Sequence, residues 1–259
     1  MLQFRRHTKF PLVFLACFTS SREQPRFSRS LLRGSALFAL LSLFSPPLAF
    51  SSATEGLIIE HGPRDSRKIA LTFDACPTSL PDEYDEKVIE TLLREKVPAT
   101  LFLSGRWVEK NPAHAKFLAA QPQFELAAHS YHHPHLMEKP DDRVMREMKR
   151  TQAIIRKITG GTPRYFRPPF GEVDERVAKL AREAGLVTIQ YDIASGDPDP
   201  GLSPRKITRA ILRDAKGGSI IVFHMNRKGV HTAELLPDII DGLRKRGFKL
   251  VTVGELLRK

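Results

Sequence analysis

From Lys68 onward, short apolar runs alternate with amphipathic stretches. The runs are Ile69–Phe73, Thr100–Leu103, Phe124–Ala128, Tyr165–Arg167, Val187–Ile193, Ser219–Phe223 and Lys249–Val253. Their length and composition predict seven buried strands. Between them, apolar residues recur at the helical period. Val88, Ile89, Leu92 and Leu93 share one face, as do Val144, Met148, Ile155 and Ile158. Val177, Leu180, Ala181 and Ala184 form a third stripe, and Leu235, Leu236, Ile239, Ile240 and Leu243 a fourth. Gly160-Gly161, Gly185, Gly217-Gly218 and Gly247 stand where helices must stop before the next strand. Regular strand–helix alternation predicts an α/β fold with a mainly parallel sheet. Seven units suit a barrel one unit short of the common eight, with an open doubly wound sheet as the alternative. No low-complexity linker interrupts the chain after residue 54, so a single domain is expected over residues 54–259.

In either architecture chemistry gathers at the carboxyl ends of the strands. Asp74 follows the first predicted strand, His129 the third and His224 the sixth; Arg167 ends the fourth, and Asp197 lies in the loop after the fifth. Five polar residues at strand exits point to one shared site.

The densest signal is His129-Ser130-Tyr131-His132-His133, with His135 close behind. Two imidazoles from one short loop can meet a single ion, and imidazole suits zinc, cobalt, nickel and iron. Asp74 in Thr72-Phe73-Asp74-Ala75-Cys76-Pro77 can be a catalytic base, a metal ligand or a loop cap. Arg167, in the stiff stretch Phe166-Arg167-Pro168-Pro169-Phe170-Gly171, can hold a carboxylate bidentately, as a structural ion pair also would. His224 ends an apolar strand, where it can donate a proton or simply sit satisfied in the core. Asp197 can bond its ring and keep it protonated.

Charge changes the picture little. The 259 residues carry 41 Lys and Arg against 29 Asp and Glu, but residues 1–53 hold seven basic residues and one acidic residue, Glu23. The remainder has 34 against 28, with no basic block, which argues against nucleic acid as a partner. Within residues 1–53, Arg29 and Arg33 precede the apolar run Ala36 to Phe44, followed by small residues at Ser51-Ser52-Ala53. That order predicts a secretory leader and a periplasmic or extracellular protein. The run is too short for a stable membrane span, which takes ~20 apolar residues. A second apolar patch, Phe10 to Phe18, makes the leader long. Of the two cysteines, Cys17 lies in the leader, leaving Cys76 without a disulfide partner and readable as a small buried apolar residue.

Taken in order, Thr72-Phe73-Asp74, His129-Ser130-x-x-His133, Arg167-Pro168-Pro169-Phe170-Gly171, Ser195-Gly196-Asp197 and Val222-x-His224 resemble the motifs of the polysaccharide deacetylases, carbohydrate esterase family 4, over about residues 66 to 256. The resemblance implies a distorted (β/α)7 barrel and removal of N- or O-acetyl groups from a glycan: chitin-like, peptidoglycan or exopolysaccharide. It implies Asp74 as the base, His224 as the acid tuned by Asp197, Arg167 orienting the base, and His129 and His133 as ligands of a divalent metal, zinc first, with cobalt or nickel as substitutes. It gives the Phe170 N–H to the oxyanion and Val222 to the acetyl pocket. Two positions depart from the family pattern: Ala75 replaces a metal-binding Asp, and Pro198 replaces a Trp. The loss at Ala75 leaves Asp74 itself as third ligand, a carboxylate such as Asp82 or Asp85 reaching in, or a weak or absent metal as in allantoinase-like relatives. Retention of both histidines favours a metal. The other functions open to the scaffold are hydrolysis of small linear or cyclic amides and non-catalytic glycan binding.

Overall fold

The computed structural model describes residues 58–77 and 84–258. The expected leader, Cys17 and Asp82 lie outside the described residues. The described residues form nine strands: β1 (Ile58–Ile59), β2 (Lys68–Ala75), β3 (Ala99–Leu103), β4 (Phe124–Ala128), β5 (Tyr165–Phe166), β6 (Val187–Ile189), β7 (Ile193–Ala194), β8 (Ile220–His224) and β9 (Lys249–Val251). The sheet order is β1-β6-β5-β4-β3-β2-β8-β7, with β9 on β2, and these strand pairs are parallel. The result is a curled parallel sheet, a distorted half-barrel of α/β type in one domain, as expected.

Helices α1 (Glu86–Arg94), α2 (Gly105–Lys110), α3 (Pro112–Ala119), α4 (Asp141–Thr159), α5 (Glu175–Glu183), α6 (Pro204–Asp214) and α7 (Thr232–Lys245) follow strands in turn. A short α8 (Val253–Leu256) ends the domain. Strand alternation sorts β2 cleanly. Ile69, Leu71, Phe73 and Ala75 belong to one core cluster, together with Leu92 of α1 and Leu236, Ile239 and Leu243 of α7. Ala70 faces the other way, joining Phe102, Ala127, Ile189, Ile220, Val253 and Leu256 in an inner cluster. α8 thus plugs one end of the curl. Thr72 and Asp74 continue the inner row toward the other end.

Two features differ from the sequence expectation. The run Val187–Ile193, predicted as one strand, is two. β6 pairs with β1 and β5, whereas β7 pairs with β8, at the opposite end of the strand order. The residues between them change partners: Gln190 N donates to Ile59 O at 2.7 Å and Asp192 N to Ile220 O at 3.2 Å. One chain segment therefore crosses between the two sheet edges, and a continuous apolar run cannot reveal that switch. The other feature is that β1 and helices α2, α3, α6 and α8 were not predicted, being short or carrying too few apolar positions. α6, for instance, buries only Ile207 and Ile211.

Candidate active site

Parallel register brings the polar strand ends together. Asp74 of β2 stands opposite His224 of β8, and Thr72 opposite Val222, which in turn faces Ala194 of β7. Partners in register point to the same face, so Asp74, His224 and Val222 open into one cavity of about 490 Å³. Cys76, His129, His133, Phe170, Tyr191, Asp197, Pro198 and Lys228 also line it.

Asp74 is buried, and Arg167 Nη1 donates to its Oδ1 at 2.8 Å. The guanidinium lies over the Phe102 ring, 4.0 Å from its centroid, and Nη2 donates to the Gln190 carbonyl at 3.3 Å. Burial alone would raise the Asp74 pKa. The charges of Arg167, His129 and His224 outweigh it and hold the carboxyl below its ordinary range. Asp74 is thereby ionised near neutral pH.

The His129 loop is shaped by its own polar residues. Ser130 Oγ accepts from His133 N at 3.0 Å, which bends the backbone so that His133 sits at φ 61°. Glu147 of α4, itself buried, accepts from Tyr131 N, His132 N and His132 Nδ1 at 2.9, 2.6 and 2.8 Å. His132 is thus turned away to a structural partner. His135 pairs with Glu172 at 2.8 Å and stacks on Phe170 with ring centroids 4.0 Å apart. Of the four histidines, 129 and 133 remain for the cavity. His129 Nδ1 donates to the Arg167 carbonyl at 2.9 Å, leaving Nε2 to face Asp74 Oδ2 at 3.8 Å and Cys76 Sγ at 3.7 Å. His133 Nε2 is 3.4 Å from the same sulfur.

Cys76, His129 and His133 form a group able to hold a metal ion, their ligand atoms all within 4.8 Å of one another. Asp74 stands outside this group, although the sequence left it open as a ligand. Asp85, the other described carboxylate considered for that duty, caps α1, its side chain accepting from Lys87 N. Cys76, read from sequence as a buried apolar residue, is buried but lies against two imidazoles. The available signal was its spacing: two residues after Asp74, it falls on the same face of the strand line, whereas Ala75 falls on the other. Hydrogen bonds with His129, His133 and His224 outweigh burial and hold its thiol well below the ordinary range. The His129 pKa is raised: burial lowers it, but the Asp74 charge and Cys76 prevail.

On the far wall, Asp197 accepts four hydrogen bonds. Its Oδ1 takes Ser195 Oγ at 2.7 Å and His224 Nδ1 at 3.1 Å; Oδ2 takes His224 N at 2.7 Å and Thr232 Oγ1 at 2.6 Å. Gly229 is needed beside it, because a Cβ there would lie 2.9 Å from Asp197 Oδ2 and 2.2 Å from Thr232 Oγ1. Burial lowers the His224 pKa, but the bonds to Asp197 and Cys76, with the nearby acidic charges, push it up to about 10. Phe170 is half exposed at the rim with φ 61°, and Val222 lines the inner wall. Tyr191 and Lys228 join the lining without having been singled out in the sequence. Tyr191 owes its place to the crossing segment between β6 and β7.

The polysaccharide deacetylase family profile matches residues 61–189. A peptidoglycan-N-acetylglucosamine deacetylase of Bacillus cereus is 30% identical over 200 residues, covering 76% of this chain and 70% of the relative. A peptidoglycan-N-acetylglucosamine deacetylase of Listeria monocytogenes is 32% identical over 196 residues, covering 74% of this chain; the match spans only 39% of that longer relative. Among solved structures, a peptidoglycan N-acetylglucosamine deacetylase superposes with a TM-score of 0.72 at 29% identity, covering 78% of this chain and 94% of that one. A pseudoenzyme of carbohydrate esterase family 4 from Bacillus anthracis superposes with a TM-score of 0.71 at 28% identity, covering 78% and 69%. The chain belongs to the polysaccharide deacetylase family, carbohydrate esterase family 4.

Proposed function

We propose that the protein hydrolyses acetyl groups from an N-acetylated glycan of the peptidoglycan type, with a divalent metal at the His129–His133 cluster. The observation that carries this reading is the placement, side by side on neighbouring strands of one cavity, of an ionised buried carboxylate and a protonated imidazole. Asp74, kept ionised by Arg167, takes a proton from the attacking water. His224, protonated at neutral pH with its pKa near 10, delivers a proton to the departing amine. Asp197 fixes the ring so that Nδ1 faces away from the substrate. The N–H of Phe170 is assigned to the developing oxyanion, and Val222 and Tyr191 to the acetyl methyl.

The donor set fits a metal: the ligand atoms of two imidazoles and a thiol lie within 4.8 Å of one another, and the tautomer of His129 is set by a backbone carbonyl. His129, His133 and Cys76 would hold the ion, which when bound would supply Lewis-acid polarisation of the acetyl carbonyl and acidification of the attacking water. Zinc is the first choice, with cobalt and nickel as substitutes. Relatives named for peptidoglycan N-acetylglucosamine support that substrate class, and such a substrate fits export through the leader over residues 1–53. N-terminal sequencing of the mature protein tests the export, and a terminus retained at Met1 would overturn it.

Acetate release from N-acetylated peptidoglycan and chitin oligomers tests the activity. Release abolished by Asp74→Asn and by His224→Ala is expected. Hydrolysis of small amides with no acetate from any glycan would replace the reading with an amidase. A second reading is non-catalytic glycan binding, favoured by the Ala75 departure and by the similar pseudoenzyme structure. Glycan binding without turnover would establish it.

A further inference from the structure

We propose that the Cys76 thiolate is the third protein ligand of the metal, so that the centre is a Cys-His-His site and Asp74 is left free as a base. The inference rests on the metal reading above and deepens it.

The departure at position 75 leaves no gap in the cavity. Ala75 is fully buried in the cluster between sheet and helices, beside Phe73 and Leu103. Its backbone is tied down by Ser104 N, which donates to its carbonyl at 3.2 Å. The next inward-facing position is 76. There the sulfur lies 3.4 Å from His133 Nε2 and 3.7 Å from His129 Nε2. A tetrahedral ion with metal–sulfur and metal–nitrogen bonds of about 2.3 and 2.0–2.1 Å separates its sulfur and nitrogen ligands by about 3.6 Å. The observed sulfur–nitrogen distances straddle that value, and all three donor atoms lie within 4.8 Å of one another, close enough for small side-chain adjustments to bring them onto one ion.

The two described carboxylates considered as ligands lie outside the three-donor group. Asp74 Oδ1 accepts from Arg167, and Asp85 caps α1. The Cys76 backbone is fixed as well: Asn226 Nδ2 donates to its carbonyl at 2.8 Å, and Pro77 follows. Three protein donors at one end of an open cavity leave a position for water and substrate, as catalytic zinc sites require. A thiolate in the set favours zinc and cobalt over magnesium, calcium or manganese.

Cobalt titration of the purified metal-free full chain tests this through absorption. The expected result is one Co(II) per chain with a thiolate-to-cobalt charge-transfer band in the near ultraviolet. The band should survive Cys17→Ser and vanish in Cys76→Ser. Cys76→Asp should still bind one Co(II), without the band. Zinc competition against a chelator should show Cys76→Ser binding at least about 100-fold more weakly, since even loss of an outer-shell partner costs 10–100-fold. One cobalt bound with no charge-transfer band, or a band unchanged in Cys76→Ser, would overturn the thiolate ligand while leaving the metal reading intact. No cobalt or zinc bound by the unaltered chain would overturn the metal reading itself, and this inference with it.

Discussion

The two sides of the cavity are built differently. One side stands on β2, β3, β4 and β8, strands of five to eight residues packed against helices. It carries Asp74, Cys76, His129 and His224, all at or just beyond strand ends. The other side stands on β5, β6 and β7, strands of two or three residues joined by bends. It supplies Phe170, Tyr191, Asp197 and Pro198 from loops. The long strands set the reacting groups in register, so their mutual geometry follows from the sheet itself. The short strands leave the wall to side-chain hydrogen bonds, of which the four on Asp197 are the densest case. Chemistry is thus placed by backbone and the enclosure by side chains, and substitutions on the two sides should fail in different ways.

The largest effects are expected on the long-strand side. Asp74→Asn removes the base while keeping the shape and a partner for Arg167. Glycan deacetylation should fall by about 10²–10⁴-fold, the usual contribution of a general acid or base, with a smaller fall in urea midpoint than Arg167→Met causes, because the amide oxygen still accepts from the guanidinium although its counter-charge is lost. Arg167→Met should act through stability instead. It leaves a buried carboxylate uncompensated, at a cost of about 3–5 kcal/mol, read as a lowered denaturation midpoint. The double variant Asp74→Asn, Arg167→Met should recover much of that loss without recovering activity. A single Arg167→Met variant of full stability would show that the pair is not what holds this side.

That contrast also explains what could be read from the sequence. Asp74, His129, Arg167 and His224 were visible because each ends a run whose burial is written in consecutive apolar residues. The parallel α/β class was visible for the same reason. Cys76 was not, since a thiol after Ala75 reads as one more small apolar residue until the strand face is known. The β6–β7 crossing was hidden because a change of partner strand leaves no mark on hydrophobicity. Tyr191 went unnoticed with it, and Lys228 sits in a loop that no periodicity marks.

Asp197 comes next, where the two sides meet. Asp197→Asn keeps the size but removes the charge facing His224. The His224 pKa, near 10 in the native protein, should then drop toward its ordinary value. The sign follows from linkage: a histidine whose folded pKa exceeds its unfolded value stabilises fully below the unfolded value, ~6.5. That contribution is lost as pH rises through about 10. Urea midpoints of metal-free protein should therefore fall more steeply between those two values in the native chain than in Asp197→Asn. Parallel curves would separate His224 from Asp197 energetically. Direct titration of the ring by NMR checks the same point.

A smaller effect is expected at Gly171. It sits at φ 69°, and a Cβ there would lie 2.5 Å from the Tyr191 hydroxyl. Gly171→Ala combines a left-handed backbone with displacement of one wall residue, for a cost of about 1–3 kcal/mol. If the wall only encloses the acetyl group, KM should rise more than kcat falls.

The weakest perturbation tests the comparison most sharply. Pro198 is exposed on the short-strand rim, where the family resemblance has a tryptophan. Pro198→Trp adds an aromatic wall without touching the strands, so stability should stay within about 0.5 kcal/mol, as for ordinary surface changes. Enclosing the acetyl group more tightly should alter KM for N-acetylated glycans by less than tenfold and leave the pH profile unmoved, because the groups that titrate stand across the cavity. A shifted pH profile would mean that the rim is coupled to His224 through Asp197, its immediate neighbour in the chain. The division between a backbone-set chemistry and a side-chain-set wall would then fail at the residue that joins them.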